Sequence, residues 1–345
     1  MTVRKVKLGR TGYTVSVIGF GALPIQRLGT TEAISVLRHA MIRGINFIDT
    51  AHGYSNSEEK IGGALQRGGD EIILATKTPA RDAETALRHV DTSLARMGVD
   101  FIHIYQLHAV NGAADLAQVL APGGALEGLK RAREMGKIGH IGITGHRPDA
   151  LAEALRTGEF ATVQVPYNFI ETEPERELFP LAGALDVGII IMKPLGGGML
   201  NNATISLKYI LQQPGVVPIP GFETVEEVDE ILAIADGCYR LHPGEKEELE
   251  AIKGELGRRF CRRCNYCAPC PQGIHIPQAM ILHTLLKRLG TKHFTAGWGK
   301  DALEKAETCI GCGACEPRCP YELAIPEIIN GNVRHVRGEL GAAGL

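Results

Sequence analysis

The chain has 345 residues, of which 44 % are hydrophobic and 22 % are charged, and its formal net charge at pH 7 is −2. These values lie near those of ordinary globular domains, so they exclude long disorder, a collagen-like repeat and a membrane-span bundle. The near-neutral charge argues against a dedicated nucleic-acid-binding protein. No run approaches the ~18 continuous apolar residues of a membrane span. We therefore expect neither nucleic acid nor a membrane as a partner.

The cysteines are concentrated near the C-terminus, where eight of the nine lie between Cys261 and Cys319. The N-terminal segment MTVRKVKLGRTGYTV is basic and polar and has no apolar core of signal-peptide length. This predicts a cytoplasmic protein, in which clustered thiols indicate metal ligands rather than disulfides. The remaining cysteine, Cys238, is predicted to be a small buried apolar residue.

Through residue 240, short runs rich in Ile, Val and Phe alternate with helical segments, the pattern of a parallel sheet with crossover helices. The predicted strands are Val15–Phe20, Ile45–Asp49, Glu71–Thr76, Phe101–Leu107, His140–Thr144, Thr162–Pro166, Gly188–Met192 and Val216–Pro220. The predicted helices are Thr31–Arg43, Ala83–Met97, Leu126–Met135, Asp149–Arg156, Glu175–Leu185, Ile205–Gln212 and Val225–Ala235. Eight such repeats predict an α/β fold, a (β/α)8 TIM barrel preceded by a small strand pair. The alternative is a doubly wound open sheet, but no G-x-G-x-x-G follows the first strand.

A second domain is predicted after this barrel. Residues 243–257 form a predicted amphipathic helix that begins with Pro and leads to the next domain. Beyond it, the cysteine runs enclose an apolar predicted helix, Pro277–Leu289, and a Gly-rich turn around Trp298. Residues 331–345 are predicted to form a mobile or loosely docked tail. The predicted domains are 1–257, a barrel with its linking helix, and 258–345, a mostly helical domain.

Polar residues that follow an apolar run have the best prospect of function in such a barrel, because chemistry collects at the carboxyl ends of the strands. Asp49, Lys77 and His108 each close a predicted strand, and Tyr54 follows Asp49 by five residues. Each is weak evidence alone, since strand-end polar residues are often solvated loop residues. Together they suit carbonyl chemistry. A neutral tyrosine can donate a proton to a carbonyl oxygen, but its ordinary pKa of about 10 requires a neighbouring cation. Lys77 would supply that cation, Asp49 would hold it, and His108 would orient the carbonyl or relay the proton.

At these residues the sequence resembles the aldo-keto reductases, over about residues 3–240. DTAHGYSNSEEKIGGAL is similar to the family's Asp-Thr-Ala-x-x-Tyr block, ILATK carries its lysine, and IYQLH carries its histidine. The resemblance implies that Asp49, Tyr54, Lys77 and His108 are a catalytic tetrad. It also implies an oxidoreductase that reduces a small carbonyl compound, or oxidises an alcohol, by hydride transfer with a nicotinamide cofactor, NAD(P)H.

The same resemblance implies how the nicotinamide dinucleotide is held. Thr144 and Gln164 would lie near the carboxamide, and the loop Gly196–Gly198 would approach the pyrophosphate, because glycine lets backbone N–H groups come close to an anion. Two positions depart from the family pattern, Met192 where many members stack a tyrosine and Gly145 where many carry an asparagine. The full set of implied cofactor contacts is Thr144, Gln164, Met192, Lys193, Gly196, Gly197, Gly198, Gly221, Glu223 and Thr224.

The stretch IPGFETVEEVDE after the eighth strand bears on the choice between NADH and NADPH. NADPH-preferring relatives place Lys or Arg there, whereas this chain places Glu223, Glu226 and Glu227. Because carboxylates near a phosphate site cost affinity, we predict NADH, although Lys193 or a basic residue folded in from elsewhere would restore phosphate binding. Thr224 and Glu227 also fit a helix capping box, an ordinary structural use of these residues.

The cysteine runs resemble those of bacterial ferredoxins, in which a terminal Cys-Pro is typical and the fourth cysteine ligates the other cluster. The first run is Cys261, Cys264, Cys267 and Cys270, and the second is Cys309, Cys312, Cys315 and Cys319. By that resemblance one [4Fe–4S] cluster would be held by Cys261, Cys264, Cys267 and Cys319, and the other by Cys309, Cys312, Cys315 and Cys270. The first run has one residue fewer before its last cysteine than the ferredoxin pattern. The alternative is a pair of structural zinc sites, each with four cysteine ligands.

The hydride transfer implied for the barrel and the one-electron transfer typical of iron–sulfur clusters are not obviously linked. The region from Arg258 to Pro320 carries ten Lys and Arg and four acidic residues, a net +6, which offsets cluster charge and would also suit an acidic redox partner protein. The two cysteine runs resemble the pattern of a known subgroup, the aldo-keto reductases with a C-terminal ferredoxin-like domain. Nicotinamide gives two electrons as hydride, whereas such a cluster normally accepts one. A flavin is the usual converter, yet no flavin-binding motif is apparent. The alternative function is a non-catalytic or regulatory barrel whose clusters carry single electrons, although the intact tetrad argues against it.

Overall fold

The computed structural model describes residues 3–65 and 72–345. The chain divides into two compact units, Met1–His242 and Pro243–Leu345. The predicted boundary at residue 257 follows the helix Pro243–Leu256, whereas the compact units part before that helix.

The first unit is built on eight parallel strands. Two short antiparallel strands precede them, β1 (Lys5–Lys7) and β2 (Thr14–Ser16). The parallel strands are β3 (Phe20–Gly21), β4 (Phe47–Asp49), β5 (Ile73–Thr78), β6 (Ile102–Leu107), β7 (Ile138–Thr144), β8 (Thr162–Pro166), β9 (Gly188–Met192) and β10 (Val216–Pro218). They lie side by side in sequence order, which is the order of a TIM barrel.

The curled sheet closes between its first and last strands. The backbone N–H of Gly19 donates to the carbonyl of Pro218 at 2.9 Å, and that of Gly21 donates to Pro220 at 2.8 Å. A Cβ on Gly21 would lie 2.5 Å from the carbonyl oxygen of Ile219, so glycine is required where the two ends meet. The predicted TIM-barrel-like α/β fold is confirmed.

Helices cover the outside of this sheet and side chains fill its inside. The helices are α1 (Thr30–Ile42), α2 (Ser57–Leu65), α3 (Ala83–Met97), α4 (Ala113–Leu120), α5 (Ala125–Glu134), α6 (Pro148–Arg156), α7 (Leu178–Ala184), α8 (Ala203–Leu211) and α9 (Val225–Asp236). Inside the barrel, Phe47, Ile104 and Ile190 share one buried cluster with Leu8 and Val15 from the β1–β2 segment. The N-terminal strand pair therefore packs against the barrel interior.

The sequence predicted most strands and helices of this unit to within a few residues, but several predictions are wrong. The predicted strand Val15–Phe20 is divided, because its start pairs with β1 and only Phe20 enters the barrel. Between the predicted strand Phe101–Leu107 and the predicted helix Leu126–Met135, where no helix was predicted, lies α4. The predicted helix start at Glu175 is a 3-10 turn, and the helix begins at Leu178. Cys238 is exposed, not buried. Glu71, the predicted start of the third strand, lies outside the described residues.

The second unit is mostly helical and has a core of its own, which confirms the predicted class. Its helices are α10 (Pro243–Leu256), α11 (Ile276–Ala279), α12 (Leu282–Leu289), α13 (Gly297–Glu307) and α14 (Ile325–Ala342). The predicted helix Pro277–Leu289 is thus two helices, and Trp298 lies in α13 rather than in a turn. The predicted mobile tail is wrong, because Asn332, Val336 and Leu340 of α14 are buried.

Within 3–65 and 72–345, no helix is both long enough and apolar enough to span a bilayer.

Candidate active site and candidate iron–sulfur sites

Asp49 and Lys77 form a buried ion pair at the carboxyl end of the barrel. Asp49 ends β4 and Lys77 lies near the end of the adjacent strand β5. Lys77 Nζ lies 2.5 Å from Asp49 Oδ1 and also donates to the carbonyl of Thr50 at 2.6 Å. The two side chains are only 2 % and 3 % exposed. A pair so far from water is stable only when further hydrogen bonds satisfy both groups.

Two buried glutamines supply those hydrogen bonds to the carboxylate. The amide Nε2 of Gln106, on β6, donates to Asp49 Oδ2 at 3.0 Å, and that of Gln164, on β8, donates to Oδ1 at 3.2 Å. The Oε1 atoms of both glutamines are buried and accept no hydrogen bond within the part of the chain that the structure describes. Each amide is therefore anchored at its nitrogen and leaves its oxygen available to a donor.

Tyr54 and His108 lie beside this pair. Tyr54 follows a turn in which its backbone N–H donates to the carbonyl of Ala51 at 2.9 Å. Lys77 Nζ is 5.3 Å from the centroid of the Tyr54 ring. The ring of His108 meets that of Tyr54 nearly edge-on, with centroids 6.0 Å apart and planes inclined by 79°. The structure thus brings all four predicted tetrad residues together.

His108 is neutral at physiological pH. Burial, reinforced by the positive charges of Lys77, Arg81 and Lys193, lowers the pKa of His108 to about 3. A neutral imidazole can donate one N–H to a carbonyl oxygen, but it holds no spare proton to deliver. Of the two roles that the sequence left open for His108, the structure therefore favours orientation of the carbonyl over relay of a proton.

Two predicted nicotinamide contacts lie next to the tetrad. Thr144 and Gln164 are paired in register at the ends of β7 and β8. The hydroxyl of Thr144 accepts a hydrogen bond from the backbone N–H of Ala109 at 3.0 Å. Because Gln164 Oε1 is a buried acceptor without a described donor, it fits the N–H groups of a carboxamide.

The predicted pyrophosphate loop is a tight turn. Gly196, Gly197 and Gly198 have φ values of 58°, 71° and 93°, which favour glycine. The N–H groups of Gly196 and Gly198 donate to carbonyls within the same loop, each at 2.9 Å. This internal use limits the predicted approach of these two N–H groups to an anion. The half-buried Met192 and Lys193 precede the loop, and Lys193 Nζ lies 2.8 Å from Nε2 of His146.

The acidic stretch after β10 has a basic neighbour that the sequence did not reveal. Nε of Arg27 donates to Glu223 Oε1 at 2.7 Å. Thr224 caps α9, since its hydroxyl accepts from the backbone N–H of Glu227 while the Glu227 carboxylate accepts from that of Thr224. The predicted capping box is therefore present, and Arg27 offsets the charge of Glu223. Gly221, beside β3 in the closing contact, is exposed.

The eight clustered cysteines of the second unit surround two separate cavities. The first is lined by Cys261, Cys264, Cys267 and Cys319. The second is lined by Cys270, Cys309, Cys312 and Cys315. The last cysteine of each run thus lies with the other run, as in the crossed arrangement that the ferredoxin resemblance implies.

The residues around each cavity suit an iron–sulfur cluster. A structural zinc ion requires four ligands within about 2.3 Å of one point. Within residues 3–65 and 72–345, no three His, Cys, Asp or Glu side chains are placed to hold one metal ion. Four thiols drawn from both cysteine runs line each cavity, as in two-cluster ferredoxins, and the residues present therefore fit [4Fe–4S] clusters.

The two cavities differ in their exposure to solvent. Cys261 and Cys267 in the first are buried, whereas Cys312 in the second is exposed and its neighbour Ile310 is 67 % exposed. Burial raises the pKa of Cys261 to about 11 and that of Cys267 to about 12. Thiols with pKa values raised in this way are protonated at neutral pH, so a cluster that bound them would release their protons.

Comparison with known proteins identifies the barrel. Residues 17–205, more than half of the chain, match the sequence model of the Aldo/keto reductase family. The chain belongs to the aldo-keto reductase family. Residues 260–324 of this aldo-keto reductase match the 4Fe-4S dicluster domain, so the predicted combination of an oxidoreductase barrel and an iron–sulfur domain is confirmed.

Individual relatives support the same family. A soybean (Glycine max) protein named probable aldo-keto reductase 1 is 30 % identical over 219 residues, which are 58 % of this chain. The chain spans 62 % of that relative's length.

Solved structures show the fold. A holo-form aldo-keto reductase from Bacillus halodurans has a TM-score of 0.63 at 23 % identity, covering 72 % of this chain and 96 % of its own. An aldo/keto reductase from Klebsiella pneumoniae, in complex with NADP and acetate, has a TM-score of 0.60 at 23 % identity, covering 73 % of this chain and 95 % of its own.

Sequence reasoning missed two residues of the aldo-keto reductase site. Gln106 lies inside the IYQLH segment that revealed His108, and the signal was a polar residue in an otherwise apolar run. Arg27 is far from Glu223 in sequence, and nothing local to either residue indicates that they pair. Only the closed barrel brings them together.

Proposed function

We propose that the barrel reduces a small carbonyl compound, or oxidises the corresponding alcohol, with a nicotinamide cofactor. The observation that carries this proposal is the buried Lys77–Asp49 ion pair, whose ammonium lies 5.3 Å from the centre of the Tyr54 ring. A positive charge held in that position by a low-dielectric barrel end stabilises a phenolate far more than it would in water.

Each tetrad residue has one task in this mechanism. The nicotinamide, when bound, supplies hydride to the carbonyl carbon or removes it from the alcohol. Tyr54 gives its phenolic proton to the carbonyl oxygen in reduction and takes a proton back in oxidation. Lys77 stabilises the phenolate that remains, Asp49 holds Lys77, and neutral His108 orients the carbonyl through an N–H group.

The cofactor contacts are proposed from the same end of the barrel. Gln164, with its available Oε1, and Thr144 would hold the carboxamide. Glu226 and Glu227 after β10 favour NADH over NADPH, because they repel a 2′-phosphate. Arg27 is the basic residue that would serve NADPH if it left Glu223. Comparing KM for NADH and NADPH in Arg27→Ala and the unaltered chain measures this contribution.

We assign two [4Fe–4S] clusters to the second unit, with the crossed ligand sets that line the two cavities. The net +6 charge of residues 258–320 supports the assignment, because each oxidised cluster with its thiolates carries about −2. Ligation by reduced thiolates is consistent with a cytoplasmic location.

A second candidate function is one-electron transfer to a redox partner protein, with a barrel that is not catalytic. The exposure of Cys312 and Ile310 beside the second cavity favours it, because electron exchange between proteins requires a cluster near the surface. The two candidates differ in whether Tyr54 matters to turnover.

Replacement of Tyr54 tests the catalytic proposal. We expect Tyr54→Phe to abolish carbonyl reduction, because the proton donor is removed, and to leave iron content and visible absorbance unchanged. Tyr13→Phe is the matched control, because the ring of Tyr13 packs on His103 and His140 rather than in the tetrad; it should keep normal turnover. Turnover retained by Tyr54→Phe would reject the mechanism.

Metal analysis of the anaerobic protein should give about eight iron atoms per chain, and two zinc ions without iron would reject the clusters.

A further inference from the structure

Arg81 connects the chain segments that follow two adjacent strands of the barrel. It lies between β5 and α3, and its Nη2 donates to the carbonyls of His108 and Ala109, each at 3.1 Å. Its Nη1 donates to the carbonyl of Pro79 at 3.1 Å. A guanidinium presents its N–H donors in a fixed planar fork, so one side chain can hold several carbonyls in a set geometry. Arg81 therefore holds the chain after β6 against the chain after β5.

The chain after β6 turns sharply at Ala109. The φ of Ala109 is 57°, in the left-handed region that residues other than glycine seldom adopt. Such a conformation persists only where surrounding contacts hold it. The Ala109 carbonyl accepts from Asn111 Nδ2 at 3.1 Å as well as from Arg81, and the Ala109 N–H donates to Thr144 Oγ1 at 3.0 Å. Side chains from three segments of the barrel thus hold this turn.

The turn adjoins two residues of the proposed active site. His108 immediately precedes Ala109, so the backbone that Arg81 holds also sets the direction of the His108 imidazole. On the other side, the hydroxyl of Thr144 accepts the Ala109 N–H and has a single proton to donate. Because the Ala109 N–H occupies one acceptor position of this oxygen, the hydroxyl proton points away from Ala109 and is available to an acceptor such as a carboxamide oxygen.

The charge of Arg81 also acts on His108. Burial, reinforced by the charges of Arg81 and two lysines, lowers the pKa of His108. On the side of α4, Arg81 Nε lies 3.7 Å from Asp115 Oδ1, and the Asp115 side chain is 40 % exposed. Because a long and partly solvated ion pair is weak, Asp115 compensates the charge of Arg81 only in part. Arg81 thus favours the neutral imidazole, the form to which the orienting role was assigned.

We propose that Arg81 is a positioning residue of the reductase, which holds the carbonyls of His108 and Ala109 so that the His108 imidazole faces the substrate carbonyl and the Thr144 hydroxyl faces the nicotinamide. The inference rests on the proposed hydride transfer. Without Arg81 the left-handed turn at Ala109 relaxes and both side chains shift. A shift of about 1 Å in such a group can lower the rate about 100-fold.

Kinetics and nicotinamide binding of the full chain test the proposal, with benzaldehyde as the carbonyl probe and the fluorescence of bound NADH or NADPH as the measure of binding. Arg81→Gln should lower kcat by up to about 100-fold and raise the Kd of the nicotinamide several-fold. Arg81→Lys, which keeps the charge but not the planar fork, should show smaller changes. Arg88→Gln is the matched control, because Arg88 is an exposed arginine on α3 that donates to Thr85; it should change neither quantity.

A double-mutant cycle with His108→Gln separates positioning from a merely structural role. Loss of one donor to a developing oxyanion costs about 100- to 1,000-fold, so His108→Gln should keep measurable turnover. Because Arg81 acts on kcat through His108, we expect Arg81→Gln to lower kcat little further in the His108→Gln background. Equal falls in kcat in both backgrounds overturn the proposal, and so does an unchanged kcat in Arg81→Gln.

Folding is checked by circular dichroism of each variant. If Arg81→Gln does not fold, Arg81→Lys replaces it in the cycle under the same criteria. If neither folds, the proposal is overturned, because Arg81 then serves stability alone. An unaltered chain that neither reduces benzaldehyde nor binds NADH or NADPH rejects the proposed hydride transfer itself, before any variant is considered.

Discussion

Asp49 connects three strands of the barrel through side-chain hydrogen bonds. Its carboxylate accepts from Lys77 on β5, Gln106 on β6 and Gln164 on β8. Two of these donors are neutral amides, so the ion pair stays electrically balanced while the carboxylate cannot rotate. The position of the Lys77 ammonium, and hence its effect on Tyr54, depends on all three contacts.

Replacement of Gln106 should weaken the stabilisation of the Tyr54 phenolate. Gln106→Leu leaves Asp49 Oδ2 buried without a donor, which costs about 1–3 kcal/mol. The Asp49 carboxylate then interacts more strongly with the Lys77 ammonium, which stabilises the Tyr54 phenolate less. We therefore expect Tyr54 to ionise at higher pH. Ultraviolet titration, taken as the difference from Tyr54→Phe in the same background, measures this ionisation without requiring turnover.

The control for this variant is Gln118→Leu, because Gln118 is exposed on α4; Tyr54 should then ionise as in the unaltered chain. An unchanged Tyr54 ionisation in Gln106→Leu would contradict the role assigned to Gln106.

At the scale of single residues, strand ends could be interpreted from sequence and strand interiors could not. Asp49, Lys77 and His108 each close an apolar run, and the family resemblance supplied Tyr54. The contact of Gln106 with Asp49 and the Arg27–Glu223 pair were not predicted. Gln106 lies within a strand, and the pair forms only when distant parts of the chain fold together. The ferredoxin resemblance predicted which cavity Cys270 and Cys319 would each line. Nothing in the local sequence around either cysteine indicates it.

At the scale of elements, the barrel depends on the contact of β3 with the chain after β10. Gly19 and Gly21 donate backbone hydrogen bonds across this contact, and the two chains approach too closely there for a side chain at Gly21. The same approach brings Arg27, in the turn after β3, to Glu223. Closure of the sheet therefore also assembles the end of the site at which the dinucleotide is proposed to bind.

A methyl group at residue 21 should destabilise the first unit. In Gly21→Ala the Cβ would lie 2.5 Å from the carbonyl oxygen of Ile219, and relief of such a contact costs about 1–3 kcal/mol. We expect a lower midpoint of urea unfolding by circular dichroism. Gly183→Ala, in α7 with open space around its Cβ, should be neutral or stabilising by about 0.5–1 kcal/mol. An equal midpoint for Gly21→Ala and the unaltered chain would show that the contact can relax.

Among elements, periodic apolar runs were predicted well and glycine-rich segments were not. The strands Thr162–Pro166 and Gly188–Met192 match the structure. Residues 331–345 contain three glycines before residue 342 and lack an obvious stripe, yet Val336 and Leu340 are buried in α14. Packing against the rest of the second unit overrides the weak helix propensity of this segment.

At the scale of the whole molecule, two compact units each have their own buried core. The first holds the tetrad and the second holds the two groups of thiols. The polar residues at the strand ends, the family resemblance and the cysteine spacing predicted this combination, because each unit carries a separate motif. No motif in the sequence indicates a group that converts an electron pair into single electrons.

The difference in electron number between hydride and cluster predicts that nicotinamide does not reduce the clusters directly. Addition of NADH or NADPH to the anaerobic full chain should leave the visible absorbance of the clusters unchanged, because hydride carries two electrons and each cluster accepts one. Dithionite, a one-electron donor, should bleach the same sample and serves as the positive control. Bleaching by either nicotinamide without added flavin would show direct exchange between the two chemistries.

The crossed grouping of Cys270 and Cys319 has a consequence for how the second unit assembles. Each group of thiols joins the two ends of the cysteine-rich region, so each inorganic core would close a long chain loop that contains α11 to α13. Closing such loops removes much of the freedom of the unfolded chain. We therefore expect the folding of this unit to depend on the supply of iron and sulfide. Loss of one cluster should destabilise the chain loop that carries the ligands of the other.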